Sequence, residues 1–121
     1  MRYTGLDQLL SQGSAALAKG PLALVFVEDD VEVDTTLRHN LHLGFKSNIV
    51  FMPEAFDLAE DIADKVVRVD AEITRKGNRE EIVNAIIPKA QGLWVYVCYN
   101  AEYLFFPFCE TRTIGEMLAF H

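Results

Sequence analysis

Cysteine is scarce in this chain: 121 residues contain two, Cys98 and Cys109. Both lie in or beside an apolar run. They read as small core hydrophobes, and a disulfide framework is excluded. Positive charge is also in short supply. The 11 Lys and Arg stand against 18 Asp and Glu, a net charge of −7. That balance excludes nucleic acid as a partner, because phosphate binding needs a basic face. Long apolar runs are missing too. None approaches the roughly 18–20 residues that a membrane span needs. The opening stretch from Met1 to Asp7 has no apolar signal region. The expected location is the cytoplasm. Repeats, low-complexity tracts and linkers are absent. So are a Gly-rich phosphate loop and a Ser or Cys in a nucleophile-elbow context. His39 and His42 sit three apart in a helical stretch, but no third ligand gives them a zinc spacing.

What is present is apolar. Half of the residues are hydrophobic, enough for one globular domain with a real core over residues 1–121. The chain is organised around Leu93 to Phe108, its most apolar and aromatic run, punctuated at the start by Gly92. Such a density of Val, Tyr, Trp and Phe predicts a strand covered on both faces, in the middle of a sheet. The aromatic cluster Tyr103, Phe105, Phe106 and Phe108 is most simply core. The segment Tyr99-Asn100-Ala101-Glu102 interrupts the run with two polar residues. Ligands in open α/β sheets bind beyond the carboxyl ends of the strands, so chemistry is expected there.

The remaining elements follow in order. Leu6 to Leu17 has a helical pattern stopped by Gly20-Pro21. Leu22 to Val27 is a buried strand closed by Glu28-Asp29-Asp30. A helix is predicted from about Val31 to Leu43, with Val33, Leu37, Leu41 and Asn40 on its inner face. Asn48 to Met52 is a strand stopped by Pro53. Phe56 to Ala63 is a short acidic helix, and Lys65 to Ile73 a third strand. Arg79 to Gln91 is a helix that Pro88 kinks or shortens. Thr113 with Glu116 forms a capping box for a last helix. Two turns of it fit before His121, so it is either simply short or the start of something longer. The order α-β-α-β-α-β-α-β-α implies a three-layer α/β domain, with a mainly parallel sheet and helices on both faces, Rossmann-like.

Val25 through Glu28-Asp29, the helix ending His42-Leu43-Gly44-Phe45, the strand Ile49-Val50-Phe51, and Trp94-Val95-Tyr96-Val97 running on to Glu102-Tyr103-Leu104 together resemble the family 2-like glycosyltransferases with the GT-A fold. The resemblance covers most of residues 22–120 and is best from Trp94 to Leu104. It implies an N-terminal, donor-binding portion that takes a nucleotide-sugar, with Mn or Mg bridging the donor diphosphate. It implies that Glu28 and Asp29 contact the nucleoside and that Asn100 and Glu102 face the sugar or diphosphate. The sequence also departs from the family. Tyr99-Asn100-Ala101 stands where the family has Asp-x-Asp, and only Glu102 keeps its acidic match. Glu28-Asp29 replaces Asn-Glu, and Asn40 replaces a His. In Met52-Pro53-Glu54-Ala55-Phe56-Asp57 only Asp57 survives of the family pattern.

Other readings of the same residues stay open. Glu28, Asp29 and Asp30 also suit a helix N-terminus, or the acidic cluster of a receiver-like signalling domain with Asp70 as its phosphoacceptor. Asp70 and Glu72 form an Asp-x-Glu pair able to hold a displaced divalent cation. Asn100 and Glu102, two apart on a strand, share one face and bond a ligand without metal. A non-catalytic binding or assembly domain on the same fold is the alternative to a transferase. Exposed sheet edges and an acidic surface are compatible with a homo-oligomer.

Overall fold

The computed structural model describes residues 1–105 and 113–119. Five strands run parallel in the order β1-β4-β3-β2-β5. They are β1 (Arg2–Tyr3), β2 (Leu22–Phe26), β3 (Ser47–Met52), β4 (Val67–Asp70) and β5 (Val95–Tyr99). The helices are α1 (Leu6–Gln12), α2 (Ser14–Leu17), α3 (Val33–Leu43), α4 (Glu60–Ala63), α5 (Asn78–Ile86) and α6 (Ile114–Leu118). This is the α/β class, with an all-parallel sheet between two helical layers.

Alternation along β2 explains the layers. Leu22, Leu24 and Phe26 pack with Leu9 of α1, Leu17 of α2, and Ile82 and Ile86 of α5. Val25 points the other way, and Val27 follows it there, against Val33 and Leu37 of α3 and Ile62 of α4. Ala23 packs with Leu43, Phe45 and Ile114 under α6. Every residue of β2 and β3 is buried. A strand covered on both faces reads as a near-continuous apolar run rather than an alternating one, which is how β2 looked in sequence, whereas β3 opens on the buried polar pair Ser47 and Asn48 before the apolar residues 49–52. The Phe26 and Phe51 rings stack at 5.0 Å across the two strands.

Gly44 ends α3 with φ +92°, and a Cβ there would stand 2.9 Å from the Thr113 side chain. Glycine thus serves both the left-handed cap and the close approach of α6. The capping box is present: Glu116 N–H donates to Thr113 Oγ1, and Thr113 N–H to the Glu116 carboxylate.

Several elements differ from expectation. The run from Leu93 was expected to hold the middle of the sheet. Among the described residues it is an edge: β5 pairs with β2 alone, and β3 lies at the centre. Its pairing ends at Tyr99, and the chain from Glu102 to Phe105 leaves the sheet. Trp94 and Phe105 are 57% and 71% exposed. Phe106, Phe108, Cys109 and His121 lie outside the described residues. β1 was missed because two residues carry no periodicity. The first helix divides at Gly13, where a Cβ would lie 2.8 Å from Leu9 atoms. The helix expected from Phe56 shrinks to one turn, α4. The helix expected to reach Gln91 gives way at Ile86 to a 3-10 turn, Ile87–Lys89, that contains Pro88.

Phe51→Ala empties space in the layer under α1 and α5. It is expected to cost about 3–5 kcal/mol in urea unfolding monitored by circular dichroism.

Candidate functional site

The chain leaves β2 for β3 on one side through α3, and returns to the other side of β2 as β5 through α5. Helices α3 and α5 lie on opposite faces. The carboxyl ends of β2 and β5 therefore flank a topological switch point, where open α/β sheets leave a crevice.

Asn100, just past β5, spans that crevice. Its Oδ1 accepts from Glu28 N–H at 3.0 Å. Its Nδ2 donates to Asp29 Oδ1 at 2.7 Å and to the Val31 carbonyl at 2.8 Å. Asp29 Oδ1 also accepts from Val31 N–H. One carboxamide thus fixes the whole turn after β2. Ala101 follows with φ +65°, and Glu32, before α3, has φ +52°. No other non-glycine residue described has positive φ. Both flank this crevice, and backbone strain of that kind gathers where surrounding bonds over-determine a site. Ala101 N–H donates to Thr36 Oγ1 (2.8 Å), whose hydroxyl donates to the Glu32 carbonyl (2.6 Å).

Glu102 does not share a face with Asn100, as strand spacing had implied. The strand has already turned, and the Glu102 carboxylate folds back to accept from Tyr99 N–H at 2.5 Å. The following residues strap α3. Tyr103 O–H donates to Glu32 Oε1 at 3.0 Å, and His39 Nε2 lies 2.7 Å from the Leu104 carbonyl. The Tyr103 and Phe105 rings flank the His39 imidazole. Sequence reasoning had weighed His39 only as a metal ligand, and nothing in its spacing pointed to this anchoring role.

Beside the crevice, at the ends of β2 and β3, lies a cleft of about 440 Å³. Asp30, Glu32, Asp34 and Asp57 line it, with Phe56 and Met52 as its apolar wall. The fold thus brings Asp57 to Asp30, near Asp29 and Glu28. Asp34 Oδ1 also holds Ala59 N–H at 3.2 Å. Phe56 and Asp34 were not singled out in sequence, since no periodicity distinguishes a lining residue from a surface one. On the α5 side, the Arg79 guanidinium lies over the Tyr99 ring, 5.4 Å from its centroid. Its Nε is buried without a hydrogen-bond partner among the described residues.

Asp70 and Glu72 border a separate cleft with Pro53 and Glu54. Both carboxylates are already engaged. Asp70 holds Arg2 and the buried Arg68, each at 3.0 Å. Glu72 accepts from Thr74 Oγ1 (2.6 Å) and N–H (3.2 Å), and these bonds hold its carboxyl below the usual range. A receiver domain places its third strand directly beside the first. Here β4, which ends in Asp70, lies beyond β3.

A divalent cation does not fit the donor set at the end of β5. Tyr99 and Ala101 offer no carboxylate, Asn100 Oδ1 is taken by Glu28 N–H, and Glu102 is turned back. Among the described residues no group of three or more His, Cys, Asp or Glu is placed to hold a metal. No described helix is long and apolar enough to cross a membrane.

Beneath the crevice, Cys98 packs against α3, where Asn40 is fully buried. Burial pushes its thiol up to about 11, against the pull of the adjacent Tyr96 and Asn40 side chains.

Fold and site together define a class: a parallel α/β domain with an acid-lined switch-point crevice. No protein-family model, curated protein or solved structure matches the chain.

Two outcomes follow. Asn100→Ala strips partners from Glu28 N–H, Asp29 and the Val31 carbonyl. It is expected to lose about 1–3 kcal/mol in urea unfolding. In a Cys109→Ala background, Cys98 is expected to react about 100-fold more slowly with a thiol probe at pH 8 in the native protein than when unfolded. A thiol pushed up from 9.0 to about 11 holds that much less of the reactive thiolate.

Proposed function

We propose that this chain is a nucleotide-sugar-binding domain of the GT-A, glycosyltransferase-like kind. The observation that carries the reading is the meeting of Glu28, Asp29 and Asn100 at the switch point, with the Asp30–Asp57 cleft beside it. The resemblance assigns Glu28, Asp29, Asp57 and Asn100 to the donor, and the reading is supported by the general habit of open α/β sheets to bind nucleotides beyond the carboxyl ends of strands at a switch point.

The part of a donor that suits this surface is the nucleoside. Ribose hydroxyls donate to carboxylates, and Phe56 gives a base an apolar wall. The diphosphate is repelled by the same acids. In this reading its charge is met by the half-buried Arg79 guanidinium beside Tyr99, rather than by a cation at the end of β5. A glycosyltransferase moves the sugar from that phosphate to an acceptor hydroxyl.

The second reading, a non-catalytic binding or assembly domain on the same fold, is favoured by one observation. Asn100 and Glu102 are both spent on internal hydrogen bonds.

Isothermal titration with UDP and GDP, with and without manganese, and with the bare nucleosides, tests both. The expected result is saturable binding of a nucleoside or its diphosphate at or below about 1 mM, unchanged by manganese. Arg79→Ala is expected to weaken the diphosphate about tenfold and to leave the nucleoside unaffected. Absence of any heat across that range would leave the second reading standing.

A further inference from the structure

The two edges of the sheet are built differently. β1 is two residues long, and its Arg2 is tied to Asp70 at 3.0 Å. A short, charged edge resists further pairing. Among the described residues the β5 edge has no such guard, for no residue from Gly92 to Ala101 is charged.

Its hydrogen bonds show which groups are left. The Trp94 carbonyl accepts from Leu22 N–H at 2.8 Å, and Asn100 N–H donates to the Phe26 carbonyl at 3.0 Å. By alternation Trp94, Tyr96, Cys98 and Asn100 address β2, while Val95, Val97 and Tyr99 turn their N–H and C=O outward. Glu102 closes the upper end, since its carboxylate takes Tyr99 N–H and its own N–H donates to the Tyr99 carbonyl at 3.3 Å. Val95 and Val97 remain. Their outward groups have no hydrogen-bond partner among the described residues.

We propose that a second copy of this chain pairs on this edge, β5 against β5, antiparallel about a twofold axis at Tyr96. That register sets Val95 opposite the partner's Val97, and Val97 opposite the partner's Val95. Each pair exchanges two N–H···O=C bonds, so the four outward groups of each copy are all satisfied. An edge with two free residues two positions apart is its own complement. The net charge of −7 on each chain opposes self-association in general, and the uncharged span from Gly92 to Ala101 is where two copies meet without burying a charge. Trp94, 57% exposed at the start of the edge, lies alongside and adds apolar area.

The test is sedimentation equilibrium of the whole chain up to about 0.5 mM, a range that reaches weak association, with amide hydrogen exchange alongside. The expected result is a mass that rises towards twice that of one chain with concentration. Val95 and Val97 amides gain protection in step, whereas Tyr96 and Cys98 amides are protected throughout. Val97→Pro removes only an outward N–H, which an edge strand tolerates. It is expected to abolish the dimer with native circular dichroism retained. Should that variant misfold, Trp94→Lys puts a charge beside the same edge from an exposed position and is expected to weaken association at least tenfold. A monomer at every concentration overturns the proposal. So does protection of Val95 and Val97 in the monomer, or a dimer indifferent to both substitutions.

Discussion

A parallel sheet must be covered on both faces, and everything else in this protein depends on how that is done. β2 and β3 expose nothing along their length. Their side chains are fixed by α1, α2 and α5 on one face and by α3, α4 and α6 on the other. Full burial leaves polar chemistry little place along these strands, whose polar residues are Ser47 and Asn48 at the start of β3. It must collect where the strands end, and the crossovers decide at which end two such termini face each other.

At that place a single carboxamide governs the local structure. Asn100 ties the turn after β2 to the turn after β5 by three hydrogen bonds. Because β2 and β5 are neighbours only through a long crossover, this tie links residues 69 to 72 positions apart. The positive φ at Ala101 and Glu32 is held by the same network, through Thr36. Glu102 is drawn inward as well, which leaves Asp30, Glu32, Asp34 and Asp57 as the carboxylates lining the neighbouring cleft. The crevice therefore presents oxygen acceptors for hydroxyl donors more readily than a cage for a metal ion.

Sequence patterning was informative wherever burial was uniform. The apolar run Leu22–Val27 and the spacing of Val33 and Leu37 give strand and helix directly, and the capping box at Thr113 is a local hydrogen-bond exchange that needs no tertiary knowledge. It misled at the run beginning with Leu93. An apolar strand reads alike whether a neighbour lies on one side or on both, since the hydrogen-bonding direction lies in the plane of the sheet and side chains do not report it. At the site, Glu28, Asp29 and Asn100 were legible because polar residues stood just past apolar runs. Phe56, Asp34 and His39 were not, because their roles depend on the layers that α3 and the strap after β5 bring together.

The sequence by itself determined the α/β class, the parallel sheet and the acid-rich strand ends, because these follow from period, length and turn residues within short windows. Only the tertiary structure decided the strand order, the edge position of β5, the commitment of Asp70 to Arg2 and Arg68, and the turning of Glu102 away from Asn100. Those depend on contacts between residues far apart in the chain, whose energies no local pattern records.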